Sequence, residues 1–159
     1  MTMRRFFLLM ATGLGVGYSP IAPGTLGTLV AIPVCYLLSS IPSPIHEITL
    51  AGFFCLSVWV SENAEIILGR KDDPRIVIDE IMGFLVTMLW VCKKAPFIIL
   101  GFFLFRLFDI IKPPPIRLSE KLRGGYGVVI DDVLAGIYAN IILQIISYFI
   151  LSPGGRGVG

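Results

Sequence analysis

Two copies of one short phrase place adjacent carboxylates at the mouths of apolar runs: Ile76-Val77-Ile78-Asp79-Glu80-Ile81-Met82-Gly83 and Val128-Val129-Ile130-Asp131-Asp132-Val133-Leu134-Ala135-Gly136. A charge near hydrocarbon is expensive, so paired acids in such a place point to function. Asp109 closes a third apolar run. With Asp79, Glu80, Asp131 and Asp132 as ligands, these acids read as a cage for a hard divalent cation. An all-oxygen set suits Mg²⁺, Mn²⁺ or Ca²⁺ better than zinc or copper. Helix capping, the other use of an acid at a helix start, needs one carboxylate and leaves both the repeat and Asp109 unexplained. Residues i and i+4 share a helix face, which sets Asp79 above Gly83 and Asp132 above Gly136. A glycine there admits the close approach of a second helix or of a substrate.

A second constellation is Gly17-Tyr18-Ser19-Pro20-Ile21-Ala22-Pro23-Gly24-Thr25-Leu26-Gly27-Thr28. It breaks a helix, frees backbone N–H groups, supplies hydroxyls and leads into another helix whose N-terminus favours anions. Ser19, Gly24, Thr25 and Thr28 are its candidate phosphate contacts. An ordinary linker is the alternative, although linkers seldom sit inside an apolar hairpin. The third is Arg106-Leu107-Phe108-Asp109-Ile110-Ile111-Lys112-Pro113-Pro114-Pro115-Ile116-Arg117. Arg106 and Asp109, three apart, share a face, and the prolines stop the helix beside Lys112 and Arg117. Lys112 and Arg117 also fit the role of membrane anchors. Arg106 lies within the apolar run and calls for an anionic partner. Gly124-Gly125-Tyr126-Gly127 reads as a flexible entry to the second acid pair.

The elements that must position these groups follow from composition. The 159 residues are 55% hydrophobic and 15% charged, with a mean hydropathy of +0.85. A soluble domain carries about 25% charged residues, so the chain belongs to the membrane class. Apolar runs cover about 6–17, 26–42, 48–68, 76–92, 96–111 and 129–151. The expected fold is an all-α integral membrane bundle of about four to five apolar helices plus a short N-terminal interfacial or re-entrant helix. It forms one domain over 1–152, with a disordered tail over 153–159. Segment 6–17 is short of the ~20 residues a span needs. The positive-inside rule gathers Arg4, Arg5, Arg70, Lys71, Arg75, Lys112, Arg117, Lys121 and Arg123 on the cytoplasmic side, with Lys93, Lys94 and Arg156 opposite. The acids then lie together at the cytoplasmic mouth.

Several classes are excluded. A net charge of +2 gives no nucleic-acid signal, and Cys35, Cys55 and Cys92 lack CxxC spacing and read as small buried hydrophobes. There is no Cys-x5-Arg of cysteine phosphatases, and His46 is the single histidine. Neither an aspartyl-phosphate Asp-x-Asp-x-Thr/Val motif nor the Asp-Gly-x2-Ala-Arg of alcohol phosphatidyltransferases is present. A small divalent-cation transporter or channel is the rival reading, but it would set its carboxylates near the midplane.

Together the stretches 17–28, 76–83, 105–113 and 124–136 resemble the phosphatidylglycerophosphatase A family of bacterial membrane enzymes, in the family's order. Asp72, seven residues before Asp79, fits the acid that precedes the family's Asp-Glu pair. The Pro113-Pro114-Pro115 run departs from the family's pattern of an aromatic between two prolines. The resemblance implies Mg²⁺-dependent removal of the terminal phosphate of phosphatidylglycerophosphate at the cytoplasmic face of the bacterial inner membrane. The product, phosphatidylglycerol, is the precursor of cardiolipin. On that reading Asp79, Glu80, Asp131 and Asp132 hold Mg²⁺, and Asp109 is a further ligand or a supporting acid. Arg106, Lys112 and the 19–28 loop bind phosphate, and Asp72 or a cage carboxylate acts as general base. The candidate catalytic residues are thus Asp72, Asp79, Asp109 and Asp131.

Overall fold

Apolar runs must satisfy their own backbone polar groups, and helices do so within one segment. The computed structural model describes residues 3–119, 122 and 124–151. Those residues form seven α-helices and one 3₁₀ turn, without strands: α1 (Met3–Ala11), the 3₁₀ turn Val16–Tyr18, α2 (Pro23–Ser39), α3 (Ile45–Leu68), α4 (Ile78–Thr87), α5 (Ala95–Ile111), α6 (Ile116–Ser119) and α7 (Gly125–Leu151). The all-α expectation holds. α3 and α7 are long and apolar enough to cross a membrane. The outward surface is apolar as well, with Leu37, Ile48, Phe103 and Phe149 each more than three-fifths exposed. A soluble surface would not carry so much. Residues 153–159, Lys121, Arg123 and Arg156 lie outside the described residues.

α4 is the hub, packed against α2, α3, α5 and α7. Every residue of it except Glu80 and Val86 is buried. Phe84 meets Phe105 of α5 edge to face with ring centroids 6.3 Å apart, and Met88 and Leu143 join the same core. The apolar run 76–92 is therefore not one long helix. Its helical part is 10 residues, about 15 Å at 1.5 Å per residue, half the hydrocarbon thickness. Beyond it the chain turns through Met88–Lys94, with Trp90 at φ 58°. Trp90 Nε1 donates to Glu47 Oε1 at 2.9 Å and the Tyr36 hydroxyl to the Lys93 carbonyl at 3.1 Å, which tie this turn to the adjoining ends of α2 and α3.

Three local expectations need correction. Pro23 opens α2 at its first turn, after Ala22 at φ 44°; proline's fixed φ suits that position. Gly24, Thr25 and Thr28 therefore sit on a helix and not in a loop. Gly125-Tyr126-Gly127 likewise begin α7, so the second acid pair lies inside a helix and not at its start. Gly125 lies so close to the Val58 carbonyl that a Cβ has no room, so these glycines serve packing and not flexibility. Cys35 is buried and Cys92 partly so, but Cys55 is exposed on α3, so the reading as buried hydrophobes fails there.

The segment that leads into α4 is clamped. Val77 N–H donates to the Ala11 carbonyl at 2.8 Å, and Gly17 lies against the Arg75 carbonyl with no space for a side chain. Arg75 Nε and Nη2 donate to Asp73 Oδ1 and Oδ2, both at 2.7 Å. These bonds hold the Asp73 carboxyl below the usual carboxylate range. The N-terminal hairpin thus presses on the entry to α4 and fixes where its first turn begins.

Candidate metal and phosphate site

α4 and α7 cross at two glycines. Gly136 faces the Gly83 carbonyl, and Gly83 faces Phe105 and the Asp132 carbonyl, with no room for a Cβ at either position. Small residues let helix backbones approach this closely. Of the two readings of the glycine spacing, it is a second helix that approaches. One turn above the crossing, Asp79, Glu80 and Asp132 each offer an oxygen, and the three lie within 4.8 Å of one another. Asp79 and Asp132 are buried, 6% and 4% exposed, where a carboxylate without a cation is costly. Glu80 Oε2 is buried without a hydrogen-bond partner. The donor set and the orphaned oxygen fit a hard divalent cation.

Asp131 stands beside this group. Its Oδ2 accepts from Lys112 Nζ at 2.7 Å, while its Oδ1 is buried without a hydrogen-bond partner. Lys112 reaches it because it ends α5 at φ 46°, where the following prolines forbid further helix. Arg106 Nη1 meets Asp109 Oδ2 at 2.7 Å across one helical turn, as their spacing implies. Asp109 is near enough for its charge to act on Glu80, Asp131 and Asp132. Two cation–carboxylate couples therefore flank the three-carboxylate group.

The first turn of α2 completes the site. A Cβ on Gly24 would displace Glu80 Oε1 and crowd Arg106 Nη1, so the first turn of α2 lies directly against both side chains. Thr25 follows it, half-buried. Thr28 is fully buried and its hydroxyl donates to the Gly24 carbonyl at 2.9 Å. It shapes the helix from within. Ser19 folds onto Ile21, donating to its carbonyl at 3.0 Å, and lines an apolar groove of about 630 Å³ with Val16, Leu26 and Leu29. Asp72 is exposed at φ 50° in the loop before α4, and its backbone N–H donates to Glu65. Its charge also acts on Asp131.

Sequence reasoning overlooked Asn140, whose Nδ2 donates to the carbonyls of Thr87 and Leu89. The available signal was two amides one helical turn apart, Asn140 and Gln144, in the apolar run 129–151, a setting in which polar side chains bond neighbouring helices.

A family model for phosphatidylglycerophosphatase A matches residues 9–147. The chain belongs to the phosphatidylglycerophosphatase A family. The phosphatidylglycerophosphatase A of Escherichia coli K12 is 35% identical over 142 residues, which cover 88% of this chain and 83% of that protein. That of Haemophilus influenzae Rd is 40% identical over 146 residues, 90% of each chain. A Bacteroides thetaiotaomicron protein, provisionally named a phosphatidylinositol-3-phosphatase, is 36% identical over 156 residues, 90% of this chain and 94% of its own. No solved structure matches the chain. The family match spans both acid pairs, Arg106, Asp109, Lys112 and the 17–28 stretch.

Proposed function

We propose that this chain is a membrane phosphatidylglycerophosphatase that hydrolyses the terminal phosphomonoester of phosphatidylglycerophosphate to phosphatidylglycerol and phosphate. The observation that carries the reading is the meeting of Asp79, Glu80 and Asp132 from two crossing helices, flanked by Arg106 and Lys112, in a chain of this family. An acid cage bordered by cations suits a phosphate that must be held and neutralised at once.

The assigned cofactor is Mg²⁺, with Asp79, Glu80 and Asp132 as its ligands and Asp131 Oδ1 available as a fourth. When bound, it supplies charge neutralisation for the phosphoryl oxygens and acidity for a water. The chain's own residues do the rest. Lys112 and Arg106, each held by a carboxylate, point cationic groups towards the incoming phosphate. Asp131 and Asp109 keep those cations in place before substrate arrives. Gly24 lets α2 close over Glu80 and brings Thr25 to the rim. Asp72, exposed in the loop before α4, or one of the site carboxylates would take the proton of the attacking water as the ester P–O bond breaks, and the departing alkoxide would recover that proton.

The membrane placement is a single domain over 1–152, with α2, α3, α5 and α7 as spans, α4 as a half-length inner helix, and α1 and the 3₁₀ turn at the interface. The site faces the cytoplasm, on the side of Arg70, Lys71, Arg75, Lys112 and Arg117. One acyl chain rests in the groove of Val16, Leu26 and Leu29, with the headgroup at the acids. Some apolar length of the substrate is thereby recognised outside the reacting centre.

The test is phosphate release from phosphatidylglycerophosphate in detergent micelles, compared with phosphatidylinositol 3-phosphate. Turnover is expected with Mg²⁺ on the first lipid and none with EDTA. Asp132→Asn should lose several kcal/mol of transition-state stabilisation, at least about a hundredfold in rate. A folded preparation that cleaves neither lipid, or an Asp132→Asn variant at wild-type rate, would overturn the assignment.

A further inference from the structure

Asn140 lies two helical turns beyond Asp132 on α7, and Gly136 sits midway between them on the same face. At one end of this face is the carboxylate group; at the middle is the Gly136–Gly83 crossing. At the far end the Asn140 Nδ2 amide donates to Thr87 O at 2.9 Å and to Leu89 O at 2.7 Å. Gln144, one turn further, donates from Nε2 to Asn140 Oδ1 at 2.7 Å. That bond orients the amide so that both its hydrogens face the end of α4. Lys93 Nζ covers the intervening carbonyl, Met88 O, at 2.6 Å.

These bonds do more than satisfy polar groups. The final carbonyls of a helix lack intrahelical partners, and within an apolar bundle they need partners from elsewhere in the protein. α7 supplies them from the same face that supplies Asp132. The glycine crossing sets how closely the two helices approach, and apolar packing around it is less directional than a hydrogen bond. Hydrogen bonds are directional, and two from one planar amide to carbonyls two residues apart define both height and rotation. α4 is only about 15 Å long, so a shift at its C-terminal end carries to Asp79 and Glu80 at its start.

We propose that Asn140, oriented by Gln144, is a positioning residue that sets the axial register of α4 against α7 and thereby the spacing of Asp79 and Glu80 from Asp132. The inference rests on the reading of those carboxylates as a cation site. Groups that orient metal ligands without touching the ion affect affinity by about 10–100-fold, which sets the expected scale.

The experiment is Mn²⁺ titration of purified protein in detergent by electron paramagnetic resonance, run on wild type, Asn140→Leu, Asn140→Gln and Gln144→Leu, with lipid kinetics in parallel. Asn140→Leu, similar in size but without donors, should bind Mn²⁺ about tenfold more weakly and lose kcat while KM for the lipid stays unchanged. Asn140→Gln keeps the N–H donors and should recover part of the affinity. Gln144→Leu alters an exposed residue and should fall between wild type and Asn140→Leu. It decides the matter if Asn140→Leu does not fold. Saturable Mn²⁺ binding that is equal in wild type and the folded variants would overturn the proposal and leave the cation site standing. No saturable binding to active wild type would overturn both.

Discussion

At the scale of single residues, the carboxylates divide into those ion-paired with a basic side chain and those gathered with one another. Asp109 and Asp131 are each paired with a basic side chain at 2.7 Å, whereas Asp79, Glu80 and Asp132 are gathered together. The Arg106–Asp109 couple was legible in the sequence, because residues three apart on a helix are neighbours. The Lys112–Asp131 couple was not, since it joins residues 19 apart through the break after α5. Hydrogen bonds to charged groups are worth about 1.5–3 kcal/mol. Lys112→Met should therefore lower kcat/KM for the lipid by about 10–100-fold, and Lys112→Arg should retain more activity. Steady-state kinetics in mixed micelles check this; equal rates for Lys112→Met and wild type would remove Lys112 from the phosphate's path.

Among the helices, the decisive event is a close crossing and not a surface feature. The repeated acid-x3-Gly spacing, Asp79 to Gly83 and Asp132 to Gly136, becomes two helices stacked at their glycines with carboxylates above. Gly136→Ala would place a methyl group on the Gly83 carbonyl. Overpacking of this kind costs about 1–3 kcal/mol and should lower the unfolding midpoint by several degrees for a chain of this size. Because the carboxylates sit one turn above the contact, Gly136→Ala should also weaken Mn²⁺ binding. Gly52→Ala, inside α3 on a glycine with open space around it, should leave Mn²⁺ binding unchanged and hold or slightly raise the midpoint. Thermal unfolding with and without Mn²⁺ measures both effects. The shortness of α4 could not be read from the run 76–92, because hydropathy reports burial and does not say whether buried backbone is helical.

For the whole molecule, connectivity sets the site at one end of the bundle. The starts of α2, α4 and α7 and the finish of α5 meet there, while the turns 40–44 and 88–94 lie at the other. The charge distribution agrees, with Arg70, Lys71, Arg75, Lys112 and Arg117 at the site end and Lys93 and Lys94 away from it. In a background with Cys35, Cys55 and Cys92 replaced, Arg70→Cys and Arg117→Cys should react with a membrane-impermeant thiol reagent only from the cytoplasmic side. Ser40→Cys should react only from the other. Labelling of Arg70→Cys from outside intact cells would overturn the proposed orientation.

The sequence by itself determined the helical content and the family, and it named the candidate site residues. Those depend on composition, on short-range spacing and on motifs, all carried by local stretches of chain. It also marked the end of α5 before Pro113, whereas the start of α2 at Pro23 came from the structure. Only the tertiary structure decided which acids share a site, that Asp131 turns to Lys112, that Gly24 closes on Glu80, and that Asn140 holds the far end of α4. Each of these joins residues tens of positions apart, and their meeting depends on how two helices cross. Crossing geometry arises from the fit of entire faces, in which Gly83, Gly136 and Phe105 count together, and no local pattern encodes that fit.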